Sequence, residues 1–309
     1  PIAVVEAKRE NANVAGKIPQ AQRYAKGFKI QPPLQGAWLI QAKPSAWDED
    51  YQIPFVYSCN GRPYIPQLAE QSGTWFRDVR ELNNLARPLQ QFHTPDGLLD
   101  LLKRSKEQAE QVLQQEGFAY LKLRDYQQKA ISAVENALAH HQRNCLLAMA
   151  TGTGKTRTII GLMYRFLKAE RFKRILFLVD RTALGQQALD AFKEAPLEQN
   201  QTLSKIYNIA ELGDMAAEAE TRVQVATVQA MLKRVFMSDN PPPVDQFDCI
   251  IVDEAHRGAL RRLRRPPGPR IRRRPRAHRP ALLHEFGFAG LHPGRQDLIA
   301  HETAARFFS

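Results

Sequence analysis

The sequence predicts an α/β fold organised around a parallel sheet, and three observations favour it. A glycine-rich loop at 151–156 joins a short apolar run at 145–147 to a run with helical spacing at 159–163. Two further runs, 174–180 and 222–229, have the continuous hydrophobicity of strands that are buried on both faces. A last apolar run delivers two acidic residues to its carboxyl end, which is where open α/β sheets bind ligands.

The first element is a strand over residues 2–8 that carries Glu6 and Lys8 near its end. Because side chains alternate along a strand, these two lie on the same face. A carboxylate there can bind a divalent metal, and an amine can orient an attacking water or stabilise charge on a phosphate. A helix follows, on which Gln20 and Tyr24 lie one turn apart on one side.

A strand-borne Glu-x-Lys followed by Gln-x-x-x-Tyr resembles the PD-(D/E)xK nuclease core in the form found in type I restriction subunits. The resemblance implies that Glu6, Lys8, Gln20 and Tyr24 form a catalytic site in which Glu6 is a metal ligand. In that family an acidic residue on an earlier strand completes the metal site. Here that strand would precede Pro1, so we expect an incomplete site. The alternative is a plain αβ scaffold with surface charge.

The next stretch is rich in proline, aromatic side chains and mixed charge. It predicts a strand at 54–60 closed by a hairpin-type turn at Asn60-Gly61. A turn at 94–97 then leads into a charged helix at 98–116, which we expect to bridge two domains. The aromatic residues either pack in a core, which we favour, or stack on bases.

The glycine loop reads TGTGKT and has the composition of a phosphate-binding loop. Its backbone N–H groups can wrap phosphates, Lys155 can reach the β and γ oxygens, and the Thr156 hydroxyl can hold Mg²⁺. Met149 stands where the general pattern has its first glycine. Upstream, the amide of Gln127 opens a helical run and suits an adenine edge, because it can both donate and accept. The predicted nucleotide-binding residues are Gln127, Gly152, Thr153, Gly154, Lys155 and Thr156.

Asp253 and Glu254 close the last apolar run. Asp253 would hold Mg²⁺ through water, and Glu254 would polarise the water that attacks the γ-phosphate. With the glycine loop about a hundred residues earlier, this half resembles the ATP-binding domain of superfamily 2 helicases of the DEAH-box type. The resemblance implies one RecA-like parallel-sheet domain, ATP and Mg²⁺ as cofactors, and a role for His256 in coupling nucleotide state to DNA contacts.

In that family the ends of two further strands contact the DNA backbone. The matching positions here are Arg181, Thr182, Thr227 and Gln229. The alternative is that Thr182 and Thr227 cap the helices that follow, and one hydroxyl can do both.

The order of these parts resembles the restriction, or motor, subunit of type I restriction-modification enzymes. The predicted domains are a partial nuclease domain at 1–60, a bridge with a linker helix at 61–117, a helicase ATP-binding domain at 118–258 and an aberrant Arg/Pro-rich tail at 259–309. The resemblance implies ATP-driven translocation along double-stranded DNA and endonucleolytic cleavage, with methylation and specificity subunits as partners. Two alternatives stay open: another superfamily 2 motor, such as a type III restriction subunit or a repair helicase, and a non-catalytic nucleotide-binding scaffold.

The formal charge of +12 is concentrated at the carboxyl end of the 309 residues. From Gly258 onward there are 12 Arg, no Lys and three acidic residues, which places +9 in that segment and only +3 before it. We favour a frameshifted or interrupted gene over a basic DNA-binding arm, and predict a disordered tail. Without a second motor domain and its arginine finger, we expect the fragment to bind ATP and to turn it over weakly or not at all.

The cysteines and the hydropathy pattern predict a cytoplasmic protein without membrane contact. Cys59, Cys145 and Cys249 are far apart, which favours small buried hydrophobes over a disulfide or a zinc site. The chain has neither a secretory leader nor an apolar stretch of about 18 residues. It begins at Pro1 in a strand-like run, which we interpret as the start of a fragment.

Overall fold

The structure is a computed structural model that describes residues 1–44, 50–80, 84–210, 220–238, 241–253 and 301–307. These residues form two sheets with helices packed on them. In the described part of the chain, no helix is both long enough and apolar enough to cross a membrane.

The first sheet has four strands in the order β1-β2-β3-β4. They are β1 (Ala3–Ala7), β2 (Phe55–Cys59), β3 (Thr74–Asp78) and β4 (Arg87–Pro88). β1 runs parallel to β2, and the other two pairs are antiparallel. The sheet therefore extends past residue 60, the predicted end of the partial nuclease domain. Gly61 has the positive φ of a turn residue, +78°, but the strand that pairs with β2 begins only at Thr74, so the prediction of a tight hairpin turn is wrong.

Helices cover both faces of this sheet. Val56 packs in one cluster with Ile18 and Ala21 of helix α1 (Ile18–Gly27). Its neighbours Phe55 and Tyr57 point to the opposite face, where helix α2 (Pro95–Lys103) buries its leucines. This alternation follows from the period of two along a strand, and it explains why β2 is buried on both faces.

The sequence predicts one continuous helix at 98–116, but the structure has two helices there, because α2 ends at Lys103. Thr94 caps its start by accepting a hydrogen bond from the Gly97 N–H at 3.0 Å. Arg104 and Ser105 are extended, and Ser105 caps helix α3 (Lys106–Gln115) by accepting from the Gln108 N–H at 3.3 Å. The helical prediction holds for both segments and fails at this break, because a serine at an N-cap offers the backbone a competing hydrogen bond.

The second sheet has six strands in the order β5-β10-β9-β6-β8-β7. They are β5 (Asn144–Met149), β6 (Ile175–Val179), β7 (Ile209–Ala210), β8 (Val223–Thr227), β9 (Cys249–Val252) and β10 (His301–Phe307). Its helices are α4 (Asp125–Ala139), α5 (Lys155–Lys168), α6 (Thr182–Glu194), α7 (Leu203–Ile206) and α8 (Val228–Phe236). Short 3₁₀ helices lie at Ala15–Lys17, Ala37–Leu39, Pro66–Gln71, Ala119–Leu121 and Glu198–Asn200.

This second sheet is mainly parallel, as predicted. β6 is parallel to both β8 and β9. Both β5 and β9 are antiparallel to β10, so β5 also points the same way as β9. Phe177 of β6 faces the main core with helices α4, α5 and α6, whereas Leu176 and Leu178 face α8.

Helix α5 is enclosed along most of its length and carries a buried arginine. All five N–H groups of the Arg165 guanidinium have acceptors: both oxygens of Glu135, at 2.7 and 3.1 Å, and the carbonyls of residues 113, 116 and 117. Those carbonyls lie at the end of α3. Because a guanidinium with every donor satisfied avoids the cost of an unpaired buried charge, Arg165 ties α3 and α4 to α5.

The carboxyl-terminal segment departs from the prediction of a disordered tail. Residues 301–307 form β10, which pairs with β5 on one side and with β9 on the other. The prediction is wrong for these residues, because the facing edges of β5 and β9 provide unpaired backbone groups that a strand satisfies. The tail's residues 254–300, including the stretch at 261–280, lie outside the described residues.

Candidate functional site

One edge of the second sheet gathers most of the predicted site residues. Because β5, β6, β8 and β9 point the same way, the loops after them open on the same side. The glycine loop follows β5, Arg181 and Thr182 follow β6, Gln229 follows β8, and Asp253 follows β9. Loops at the carboxyl ends of parallel strands form the usual ligand-binding crevice of such sheets.

The glycine loop ends in the first turn of α5. Gly152 and Gly154 have φ of +78° and +77°, the left-handed region that other residues adopt only with strain. Lys155 and Thr156 are the first two residues of the helix, and both are half-buried. The helix start thus presents backbone N–H groups and the positive end of the helix dipole next to an amine and a hydroxyl, an arrangement that suits a phosphate.

Gln127 braces this loop. Its side chain is buried, and its amide nitrogen donates to the carbonyls of Thr153 and Gly154, both at 3.1 Å. Its amide oxygen accepts from the Arg124 N–H at 2.9 Å. Both amide donors are therefore engaged with the loop in this structure, and contact with an adenine stays a prediction.

Tyr126 is a loop contact that the sequence analysis missed. Its hydroxyl donates to the Thr153 carbonyl at 2.8 Å, beside the bond from Gln127. The sequence feature that could have predicted this contact is the position of an aromatic residue directly before Gln127. Two neighbouring side chains from the start of α4 thus hold the same loop carbonyl.

Asp253 lies directly after β9, and its backbone N–H donates to the Leu178 carbonyl at 2.9 Å. A carboxylate at this edge and the Thr156 hydroxyl are oxygen donors of the kind that Mg²⁺ prefers. The donor chemistry therefore fits a magnesium nucleotide. Glu254 and His256 lie outside the described residues.

Of the two threonines that follow β6 and β8, only one caps the helix that comes after it. Thr227 is the N-cap of α8 and accepts from the Ala230 N–H at 3.2 Å. Thr182 lies one residue past the N-cap of α6, where Arg181 stands, and its side chain is exposed. The Arg181 side chain is 82% exposed. Capping thus accounts for Thr227, whereas Arg181, Thr182 and Gln229 present their side chains to solvent.

The nuclease-like residues occur as two pairs. Glu6 of β1 forms an ion pair with Lys8, which directly follows this strand, as the strand period predicts. On α1, the Gln20 amide donates to the Tyr24 hydroxyl at 2.8 Å. Within the described residues, no group of three or more His, Cys, Asp or Glu side chains could hold a metal ion.

The three cysteines are free thiols; Cys249 is buried as predicted, whereas Cys59 and Cys145 are only half-buried. Burial and the nearby Glu6 carboxylate raise the pKa of Cys59, which keeps this thiol protonated. Burial raises the pKa of Cys145 to about 11.

The fold and the site define a two-part α/β protein whose second part is a helicase-like, mainly parallel-sheet domain. Residues 1–102 match the model of the type I restriction enzyme EcoKI endonuclease subunit second domain. Residues 120–265 match the model of the type III restriction enzyme res subunit. The chain thus carries a type I restriction enzyme endonuclease-subunit domain followed by a helicase-like domain of the restriction-enzyme class.

The chain is also similar to several individual proteins. The chain is 42% identical over 276 residues to the type I restriction enzyme EcoKI endonuclease subunit of Escherichia coli K12, a match that covers 84% of this chain and 24% of that subunit. It is 32% identical over 145 residues to the putative ATP-dependent helicase IRC3 of Saccharomyces cerevisiae, which covers 43% of this chain and 19% of IRC3. A nuclease-deletion mutant of the type ISP restriction-modification enzyme LlaGI, solved with a DNA substrate mimic, aligns with 46% of this chain and 16% of its own, at 25% identity and a TM-score of 0.32. The chain spans about a quarter of the length of the EcoKI subunit.

Proposed function

We propose that the second domain binds ATP with Mg²⁺ and that in the whole enzyme its hydrolysis moves double-stranded DNA, which the first domain helps to cleave. The chain by itself should bind ATP and turn it over weakly or not at all. The observation that carries the proposal is the glycine loop: two left-handed glycines at the start of α5, on the same sheet edge as Asp253. In a site of this kind, catalysis depends on positioning the phosphates and stabilising their charge, and the protein itself forms no covalent bond.

Each residue at this edge has a distinct role in the proposal. The N–H groups around Gly152 and Gly154 hold the phosphates, and Lys155 neutralises the β and γ oxygens. Thr156 and Asp253 hold Mg²⁺, which supplies charge stabilisation to the transferring phosphoryl group. From its place after Asp253 in the sequence, Glu254 orients and polarises the attacking water.

The exposed groups after β6 and β8 hold the DNA backbone. Arg181, Thr182 and Gln229 offer donors to phosphate oxygens, which position a duplex without reading its sequence. Site choice then belongs to other chains. Methylation and specificity subunits are the proposed partners, because the EcoKI relative is named as one subunit of a type I restriction enzyme.

The first domain is the part that favours a restriction subunit over a repair helicase. The similarity to IRC3 covers only 43% of the chain, whereas the match to the EcoKI subunit covers 84% and includes both domains. In the proposal Glu6 and Lys8 act at the scissile phosphate, and Gln20 and Tyr24 support them from α1.

Nucleotide binding tests the loop. Lys155→Ala should abolish binding of a fluorescent ATP analogue, because the amine that neutralises the phosphates is lost. Lys205→Ala, which removes an exposed lysine of α7, should leave binding unchanged. Equal binding by both variants would sink the assignment of the loop.

Hydrolysis separates a motor from a non-catalytic scaffold. Glu254→Gln should trap bound ATP in a hydrolysing enzyme, seen as slower release of a labelled nucleotide, and should change little in a scaffold. Glu6→Gln should abolish DNA cleavage by the assembled enzyme and leave ATP binding intact, which tests the nuclease-like pair separately.

A further inference from the structure

The two domains meet along a polar interface formed by the chain segment around α2. Before this helix, the side-chain amides of Gln90 and Gln91 donate to the carbonyls of Val235 and Pro242, at 3.3 and 3.2 Å. The Thr94 hydroxyl donates to the Asp245 carboxylate at 2.5 Å. These contacts join residues about 145–151 positions apart in the chain.

Four charged residues form the centre of the interface, and we call them the interdomain clamp: Asp100, Arg104, Lys173 and Asp248. Arg104 pairs with Asp248 at 2.5 Å, and Lys173 pairs with Asp100. Each domain contributes one acidic and one basic residue. Both ion pairs of the clamp therefore join one domain to the other.

Asp248 is the anchor of the clamp. Besides Arg104, its carboxylate accepts the backbone N–H of Lys173 at 2.7 Å and that of Arg174 at 3.0 Å. The Arg104 and Asp248 side chains are only 11% and 14% exposed, whereas those of Lys173 and Asp100 are 33% and 36% exposed. Salt screens a buried pair less than an exposed one, so the Arg104–Asp248 pair should dominate.

The clamp has a defined place on the second sheet. Lys173 and Arg174 lead directly into β6, and Asp248 leads into β9, so the clamp sits at the amino-terminal edge of the second sheet. The glycine loop and Asp253 lie at the opposite edge.

We propose that the interdomain clamp docks the first domain onto the amino-terminal edge of the second sheet, so that the two domains move as one body. Its partner surface is this chain's own second domain, recognised by opposite charges. The inference stands on the interface contacts and does not depend on ATP or DNA chemistry.

A charge reversal on the whole chain tests the clamp. Arg104→Glu places two carboxylates together, so small-angle scattering should show a larger radius of gyration and calorimetry should resolve two unfolding transitions in place of one. The control is Lys103→Glu, the same charge change at the neighbouring exposed residue of α2. Identical behaviour of the two variants would overturn the proposal.

A charge swap provides a second test that does not involve the buried pair. Asp100→Lys and Lys173→Asp should each lower the midpoint of thermal unfolding by about 5 °C or less, and the double variant should recover part of that loss. Additive losses in the double variant would contradict the clamp. If Arg104→Glu fails to fold, this charge swap decides the question, because it leaves the buried Arg104–Asp248 pair intact.

Nucleotide binding distinguishes this inference from the proposed function. Arg104→Glu should bind the ATP analogue as the unaltered chain does, because the glycine loop lies at the other edge. Loss of binding in Lys155→Ala concerns the site alone. Undocking in Arg104→Glu concerns the clamp alone.

Discussion

At the scale of single residues, the two glycines of the phosphate loop share a backbone conformation and differ in their surroundings. A Cβ on Gly152 would meet nothing within 4 Å, whereas a Cβ on Gly154 would lie 2.6 Å from the Gln127 amide nitrogen. Their φ angles, +78° and +77°, are nearly the same. Substituting each glycine in turn therefore distinguishes the free-energy cost of backbone strain from the cost of losing the hydrogen bonds of Gln127.

We expect Gly152→Ala to cost about 1 kcal/mol, from the left-handed backbone alone. Gly154→Ala should cost more and should also weaken binding of the ATP analogue, because the new methyl group displaces the Gln127 amide from the loop carbonyls. Urea denaturation and nucleotide titration measure the two effects. Equal losses in both variants would show that Gln127 does not hold the loop.

His93 should make the stability of the first domain depend on pH. Its Nδ1 is hydrogen-bonded to the Tyr57 hydroxyl at 2.7 Å, and its ring lies 4.5 Å from that of Phe76. Burial and the nearby Arg87 lower its pKa to about 4. Because the neutral form is favoured in the fold, the unfolded chain binds the proton first as pH falls.

We expect the free energy of unfolding to decrease as pH falls from about 6.5 to about 4, by up to roughly 3 kcal/mol from this residue. The sign follows because the unfolded state holds more protons than the native state in that window. His93→Gln should flatten the pH dependence there, measured by urea denaturation at several pH values. His140→Gln, at an exposed position after α4, is the control; an unchanged slope in His93→Gln would contradict the assignment.

At the scale of elements, β10 fills the gap between two strands of the second sheet. Ala304 pairs with Leu146 of β5 on one side and with Val252 of β9 on the other, so β10 is an interior strand. Its neighbours are the strands that deliver the glycine loop and Asp253. The spacing of those two groups along the edge therefore depends on β10.

We expect Ala304→Pro to destabilise the second domain by about 2 kcal/mol or more, because proline removes a backbone donor inside a sheet. Ala304→Val keeps the donor and adds a β-branched residue suited to a strand, so it should be tolerated. Thermal unfolding of both variants provides the measurement. A proline variant as stable as the valine variant would show that β10 does not complete the sheet.

At the scale of the whole molecule, the sign and location of charge bear on DNA binding. Residues before Gly258 carry only +3 of the total +12, so the proposed DNA contacts rest on particular side chains rather than on net charge. Arg181 is the cationic residue among the proposed DNA contacts, and its side chain is 82% exposed. Phosphate contacts make affinity fall with salt in proportion to their number.

We expect duplex affinity to be independent of base sequence and to fall as salt rises. Arg181→Ala should make the slope of log affinity against log salt shallower by about 0.9, the loss of one phosphate contact. Lys103→Ala, on α2 of the first domain, should leave the slope unchanged. Fluorescence anisotropy with two unrelated duplexes at several salt concentrations measures both; a marked preference for one duplex would contradict backbone recognition.

The sequence by itself determined the elements that local pattern encodes. Each predicted site group on the second sheet follows an apolar run, and parallel strands bring such ends to one edge whatever their order. The pairs Glu6–Lys8 and Gln20–Tyr24 are equally local, because strand and helix periods set their spacing. These predictions needed no knowledge of the chain path.

The tertiary structure decided what depends on residues far apart in the chain. The bond from Gln127 to the glycine loop spans 26 or 27 positions, and the pairing of Lys173 with Asp100 spans 73. The place of β10 between β5 and β9 likewise depends on which backbone edges remain unpaired after the other strands assemble. The periodicity of a sequence predicts which face of a helix or strand is buried. Only the packing of the whole chain determines which distant side chain or strand contacts that face.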